Sequence, residues 1–348
     1  MSSPTAAGSS PRRPGAAGRG LPDTRRSVAV GLVIGIPVSA VFLWLAVRKT
    51  DVSEAWDAVT SANAGLLVAA VAAMAVVYLL QGRRWHAIAG IDLRRGWYPE
   101  TVVAGVAVNN VLPGRLGDIL RARWLSVDSG LAGGRAFATV IVDRAFDVAA
   151  LVLFLCAGLM VATDATWLRR VVVGGLVLLV LLVVLVGFAR GYTRARPRSR
   201  RPRRGLVRRL VRDTLEGLAE PLSAALSLRL GALSVGAWGA WAVAAWLVAR
   251  AVGIELSPLE AAFITGALNL GVAIPSSPGF IGTYQWLAVS ALGVFSVDRE
   301  DALAFAILVQ AVWYVPTTVV GGAFVVMRFF GRTRVVGAAR ARSQSSSA

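Results

Sequence analysis

Asn109-Asn110-Val111-Leu112-Pro113-Gly114-Arg115-Leu116-Gly117-Asp118-Ile119-Leu120-Arg121-Ala122-Arg123 is the stretch on which the reading of the whole chain turns. It sets two amides, a proline, two glycines, an aspartate and three arginines directly after an apolar run. In a chain of spanning helices there are two ways to place such a segment. It is a loop on one face, or a broken helix that carries polar groups into the bilayer.

Its surroundings decide between them. The chain has 348 residues, 56% of them hydrophobic, and its mean hydropathy is +0.65. That is the profile of a polytopic helical membrane protein. Apolar runs at Val28–Val47, Ala64–Leu80, Ala145–Ala162, Val171–Ala189, Leu230–Val252 and Ala302–Phe329 reach roughly the 20 residues that a spanning helix needs. The net charge of +18 comes from arginines that flank these runs. Flanking cations act as orientation signals, so nucleic acid is not expected as a partner. Cys156 and His86 are each alone in the chain, which excludes an internal disulfide and any His-pair or multi-cysteine metal site. No metal or cofactor is expected. Trp44, Trp56, Trp85 and Trp97 stand near run ends and read as interfacial anchors.

Residues 1–26 and 331–348 are Ser-, Gly- or Arg-rich and read as disordered tails. Residues 27–330 read as one integral membrane domain. Its halves, 27–189 and 230–330, are joined by a basic segment, 190–229. Within that segment Leu206, Leu210, Leu215, Leu218, Leu222 and Leu226 form one stripe, the pattern of an amphipathic helix on the anionic inner leaflet.

The positive-inside rule puts both termini in the cytoplasm of a plasma-membrane protein. Parity then does the sorting. Residues 84–135 begin and end inside, yet their apolar part is too short for two crossings. A re-entrant hairpin entering from the cytoplasm solves this. Residues 258–297 pose the same problem from the outside. Their Pro278-Gly279-x-x-Gly282 repeats Pro113-Gly114-x-x-Gly117, with Asn269 and Pro275 ahead of it. Two opposed hairpins at corresponding places suggest an inverted repeat, with a substrate site near the midplane.

The ionisable groups beside the first hairpin are the candidate binding residues, because charge at membrane depth pairs or lines a wet path. They are Arg115, Asp118 and Arg121, then Arg144 and Asp147. Asp143 and Asp147 share one helix face at i,i+4. A guanidinium holds phosphate through two parallel hydrogen bonds, which makes Arg115, Arg121 and Arg144 candidates for a lipid phosphate. Asn109, Asn110 and Gln285 are candidates to support the headgroup, and Gln310 is expected to face the same cavity. No catalytic constellation can be drawn, so a translocator is expected and an enzyme is not.

Three motifs, taken in order, carry a resemblance. Asn-x-x-Leu-Pro-Gly-Arg-x-Gly-Asp-x-x-Arg, then Asp-Arg-x-x-Asp, then Ile-Pro-x-x-Pro-Gly-x-x-Gly-Thr-Tyr resemble the lysylphosphatidylglycerol synthase transmembrane-region family. The resemblance covers about residues 28–330. It implies a flippase-like membrane domain that moves or handles a polar lipid, either an aminoacyl-phosphatidylglycerol or a polyprenyl-phosphate glycolipid. The family commonly has Gly and Glu where this chain has Phe280 and Gln285. The resemblance includes no cytosolic aminoacyl-transferase segment, so the chain is not expected to make the lipid. The competing reading is a membrane scaffold that recruits a cell-envelope enzyme. Partners are thus lipids with an anionic phosphate, with a second copy of the chain or such an enzyme as the protein candidates.

Overall fold

The computed structural model describes residues 37, 40–112, 115–158, 166–195, 205–271 and 278–345. The described residues are all-helical apart from turns. In order they form α1 (residues 40–47), α2 (Val52–Ser61), α3 (Ala64–Ala89), α4 (Trp97–Val111), α5 (Leu116–Ser129), α6 (Gly133–Gly158) and α7 (Thr166–Ala195). Then come α8 (Leu206–Leu218), α9 (Ala224–Ala251), α10 (Pro258–Gly271), α11 (Thr283–Leu292) and α12 (Arg299–Ser345). Most of the first expected span, with Pro113, Gly114 and Pro275, lies outside the described residues. Helices α3, α7, α9 and α12 are long and apolar enough to cross a membrane, so the chain is a multi-pass membrane protein.

Helix starts follow local chemistry. The Asn63 side chain accepts from Leu66 N (3.1 Å) to open α3, and Ser223 accepts from Leu226 N (3.2 Å) to open α9. Both are short polar side chains satisfying an otherwise orphaned helical N–H. Pro221 lies in the break between α8 and α9. The amphipathic helix is therefore shorter than the leucine stripe suggested, since Leu222 and Leu226 fall beyond its end. Its last turn packs Leu215 and Leu218 against Ala138 of α6, while Leu210 stays exposed.

Two helices run further than hydropathy indicated. α3 continues to Ala89, past Arg83 and Arg84, and α6 begins at Gly133. Charge lowers a hydropathy average, but a buried and paired charge does not end a helix. Arg84 and Asp143 are therefore inside their helices and not at the helix ends. Trp85 and Trp97 are buried too, and so are not interfacial anchors, whereas Trp44 and Trp56 are exposed.

The packing has an internal order. α3 lies along α9, and Asn63 N donates to Ala251 O (3.0 Å). The start of one helix thus meets the end of the other, so the pair is antiparallel. Around it the contacts come in matched sets: α3–α4 with α9–α10, α4–α5 with α10–α11, and α5–α6 with α11–α12. Likewise α4–α12 matches α6–α10, and α3–α12 matches α6–α9. The helices α3–α6 and α9–α12 thus pack against matching neighbours. The contact of α2 with α12 is matched in the same way by that of α8 with α6.

The backbone repeats as well. Arg115 (φ 54°) and Phe280 (φ 60°) are two of the three described non-glycine residues with positive φ. Each is the residue after its Pro-Gly. A left-handed conformation costs a side-chain-bearing residue about 1–2 kcal/mol, so the turn holds both against a local preference.

The helical pairs α4–α5 and α10–α11 each follow the long helix of their half, α3 and α9. Their turns come together. The 3-10 segment Pro278–Phe280 packs against α4. Tyr314 of α12 lies between the turns, with its ring against Gly279 and its hydroxyl donating to Asn110 O (3.4 Å).

Candidate functional site

Three helices of the first repeat deliver six charges to one place: Arg84 from α3, Asp118 and Arg121 from α5, and Asp143, Arg144 and Asp147 from the middle of α6. They form a closed ring of alternating sign. Arg84 Nε is 2.8 Å from Asp143 Oδ1, and Arg121 Nη2 is 2.8 Å from Asp143 Oδ2. Arg121 Nη1 is 3.9 Å from Asp118 Oδ1, whose next neighbour is Arg144 Nη2 at 2.6 Å. Arg144 Nη1 reaches Asp147 Oδ2 at 3.1 Å, and Asp147 Oδ1 returns to Arg84 Nη2 at 2.8 Å.

The ring is buried. Arg84, Arg121, Asp143 and Asp147 are at most 4% exposed, while the Arg144 side chain keeps 34% exposure. Helix α9 closes it from the other repeat. Ser234 Oγ accepts from Arg84 Nη1 (2.8 Å), and Trp238 Nε1 donates to Asp147 Oδ1 (3.0 Å). Arg121 also stacks over the Trp85 ring at 4.3 Å, an attraction strengthened by the absence of water. Charges this far from solvent persist only when each is paired and hydrogen-bonded. Alternation around a ring gives each group a partner on both sides.

Of the residues expected at a headgroup, Asp118, Arg121, Arg144 and Asp147 are thus brought together. Arg115 sits at the edge of this group on the turn before α5. It is exposed, and among the described residues no carboxylate oxygen lies within 4.0 Å of its guanidinium. Arg123 faces outward.

The amides are placed differently. Asn109 Oδ1 accepts from Gly117 N (2.7 Å), capping the entry of α5. Asn110 is buried and donates to Thr317 Oγ1 (3.2 Å) and Thr318 Oγ1 (2.8 Å) of α12. Gln285 Oε1 accepts from Gly282 N (2.6 Å), and Gln285 Nε2 donates to Gln310, whose own Nε2 donates to Gly279 O (2.6 Å). Asn269 donates to Thr265 O on its own helix (2.9 Å). The amides therefore tie each hairpin to itself or to α12 and stand apart from the ring.

Between the limbs of the first hairpin the backbones touch. A Cβ on Gly117 would lie 1.8 Å from Gly105 O, and one on Gly105 would meet the Arg121 stem at 2.8 Å. Glycine at both places lets α5 lie close enough for Arg121 to reach Asp143.

Sequence reasoning missed Arg84 as a member of the site and used Asp143 only as a helix-face marker. Arg84 is followed by Trp85, Ile88 and Ala89, an apolar pattern that continues α3 beyond the arginine pair. That continuation was the available signal. Trp238 and Ser234, on an apolar helix far along the chain, gave none.

The model of the family described as "Lysylphosphatidylglycerol synthase TM region" matches residues 28–321. No curated protein matches the chain in sequence.

Proposed function

Because the chain belongs to the lysylphosphatidylglycerol synthase transmembrane-region family, a family of membrane domains, we propose that it is a flippase-like translocator. Its cargo is a lipid bearing an anionic phosphate, a phospholipid or a polyprenyl-phosphate lipid. Both termini lie in the cytoplasm of a plasma-membrane protein, as the arginine-rich flanks demand. The α4–α5 hairpin enters the bilayer from that side, and α10–α11 enters from the other. The protein moves its lipid and performs no chemistry on it.

One observation carries this reading. Among the described residues Arg115 is an exposed cation with no ion-pair partner, held in a left-handed turn (φ 54°) beside a ring that neutralises its own charges. Strain of this kind persists where the surrounding structure imposes it, and it gathers at ligand-binding positions. A guanidinium so placed can take a phosphate as a bidentate hydrogen-bond acceptor. The half-exposed Arg144 stands next in line. A lipid headgroup would pass the ring's edge while the acyl chains remain in the bilayer.

The test exploits the strain. Arg115→Gly removes the cation and suits the backbone it replaces, so stability should rise by about 1 kcal/mol. Translocation of a headgroup-labelled phospholipid in proteoliposomes should fall about tenfold or more, the loss of one charged hydrogen-bond pair. Arg123→Ala should leave both quantities unchanged. Wild-type translocation in Arg115→Gly would defeat the assignment.

A further inference from the structure

We propose that an anionic phospholipid of the surrounding bilayer sits in the cleft between α6, α7 and α8, with one acyl chain inside it and the headgroup phosphate at Arg190. The proposal concerns a resident lipid and does not depend on the translocator reading. The cleft encloses about 240 Å³. Its walls are mostly apolar: Ile141, Val142, Ala145 and Phe146 of α6, Val186 of α7, and Leu222 after α8.

The cleft lies away from the charged ring. Ala138, Ile141, Val142 and Ala145 follow i, i+3, i+4 and i+7 spacing and so share one face of α6. At about 100° per residue, Asp143, Arg144 and Asp147 fall on roughly the opposite face. The space persists because α8 cannot move in to fill it. A Cβ on Gly134 would lie 2.4 Å from Leu210 O, and one on Gly217 would lie 2.7 Å from Ala138 Cβ. The two helices already touch at both places, and α8 can approach α6 no further.

Water is a poor occupant. The volume far exceeds the roughly 10–15 Å³ that one water needs, but a buried water also needs roughly two to four polar partners. Thr139 Oγ1, in the lining, already donates to Ala136 O (2.7 Å) and accepts from Trp85 Nε1 (3.0 Å). Arg135 Nη2 is paired with Glu220 Oε1 at 2.9 Å. An acyl chain needs no such partners and covers the apolar walls.

Charge and depth name the headgroup. Arg135 and Arg190 against Glu220 leave the lining with one net positive charge. Arg190 is exposed and, among the described residues, has no ion-pair partner. The spanning stretch of α7 runs Val173–Arg194. Val186 and Arg190 therefore stand one turn apart near its end, where the apolar layer gives way to headgroups. Basic pockets between spanning helices take anionic headgroups, and a guanidinium holds a phosphate through parallel hydrogen bonds.

The test uses the purified full-length protein in phosphatidylcholine vesicles. A trace of phosphatidylglycerol or phosphatidylcholine is added that carries a photoactivated diazirine midway along one acyl chain, and adducts are mapped by mass spectrometry. The reference is the exposed face of α3 at Val68 and Val76, which any bilayer lipid reaches. Relative to it, residues 141–146 should take phosphatidylglycerol over phosphatidylcholine by about tenfold or more, the effect of one charged hydrogen-bond pair. Arg190→Gln should lower that ratio to the α3 value, and Arg115→Gly, at the other site, should leave it unchanged. Ala145→Trp, which fills the cleft, should remove adducts from residues 141–146 with either lipid. Equal ratios at α6 and α3 in the wild type would show annular lipid alone and overturn the proposal. An absence of adducts at α6 would overturn it too, because another part of the chain or a second copy then fills the cleft. An unchanged ratio in Arg190→Gln would refute the phosphate contact, and loss of the preference in Arg115→Gly would place the selected lipid at the first hairpin instead.

Discussion

Asp143→Asn is expected to destabilise the protein by about 3–5 kcal/mol, the cost of breaking a buried ion pair by neutralising one side. The substitution preserves shape and removes charge at the point where two arginines converge. Arg84 keeps Asp147 at 2.8 Å, but Arg121 is left with Asp118 at 3.9 Å as its remaining ion pair. Arg121 is 2% exposed, so water cannot replace the lost carboxylate. The measurement is the unfolding midpoint in mild detergent, with Arg123→Ala as an exposed control expected to change stability by no more than about 0.5 kcal/mol. The double variant Asp143→Asn with Arg121→Gln restores the balance of charge and should recover part of the loss. An Asp143→Asn protein as stable as wild type would show that the ring does not hold the helices together.

The second large effect is steric. Gly117→Ala places a methyl group 1.8 Å from Gly105 O and 2.8 Å from Asn109 Oδ1. The first obstacle is main chain, so no side-chain rotation relieves it. The limbs of the α4–α5 hairpin must part, which pulls Gly117 N from its Asn109 cap and Arg121 from Asp143. The expected cost exceeds the roughly 1–3 kcal/mol of ordinary overpacking, and the variant should be recovered in low yield or as aggregate. Gly174→Ala, where nothing lies within 4 Å of the added carbon, should be neutral or stabilising by up to about 1 kcal/mol. A well-folded, active Gly117→Ala protein would contradict the close crossing of α4 and α5.

Much of this architecture was legible in the sequence because the constraints behind it are global. Parity of crossings and a repeated Pro-Gly-x-x-Gly motif depend only on counting charge flanks and apolar lengths. They give a short helical pair at a Pro-Gly-x-x-Gly motif in each half, and α4–α5 and α10–α11 stand at those two places. The site was half legible. Asp118, Arg121, Arg144 and Asp147 stand out because four ionisable residues crowd two short motifs. Arg84 did not stand out, because an arginine after an apolar run has the same local appearance whether it flanks a span or lies within it. Which of the two it does depends on Asp143, 59 positions away, and no local pattern reports that pairing. The hydrogen bonds of the amides were not legible for the converse reason. Asn110 and Gln285 have the chemistry of ligand groups, but the tertiary structure uses it to fasten the turns.

Consider where the ring can be severed. Two of its links, Arg84–Asp143 and Arg84–Asp147, join α3 to α6, and Arg144–Asp147 lies within α6. The links Asp118–Arg144 and Arg121–Asp143 join α5 to that pair of helices. Moving α5 away therefore divides the six charges along one seam. Arg84, Arg144, Asp143 and Asp147 stay behind as a quartet that sums to zero, and Asp118 and Arg121 leave as a neutral couple. A hairpin limb can then detach without stranding net charge in either fragment. Arg115, at the limb's leading end, would travel with it.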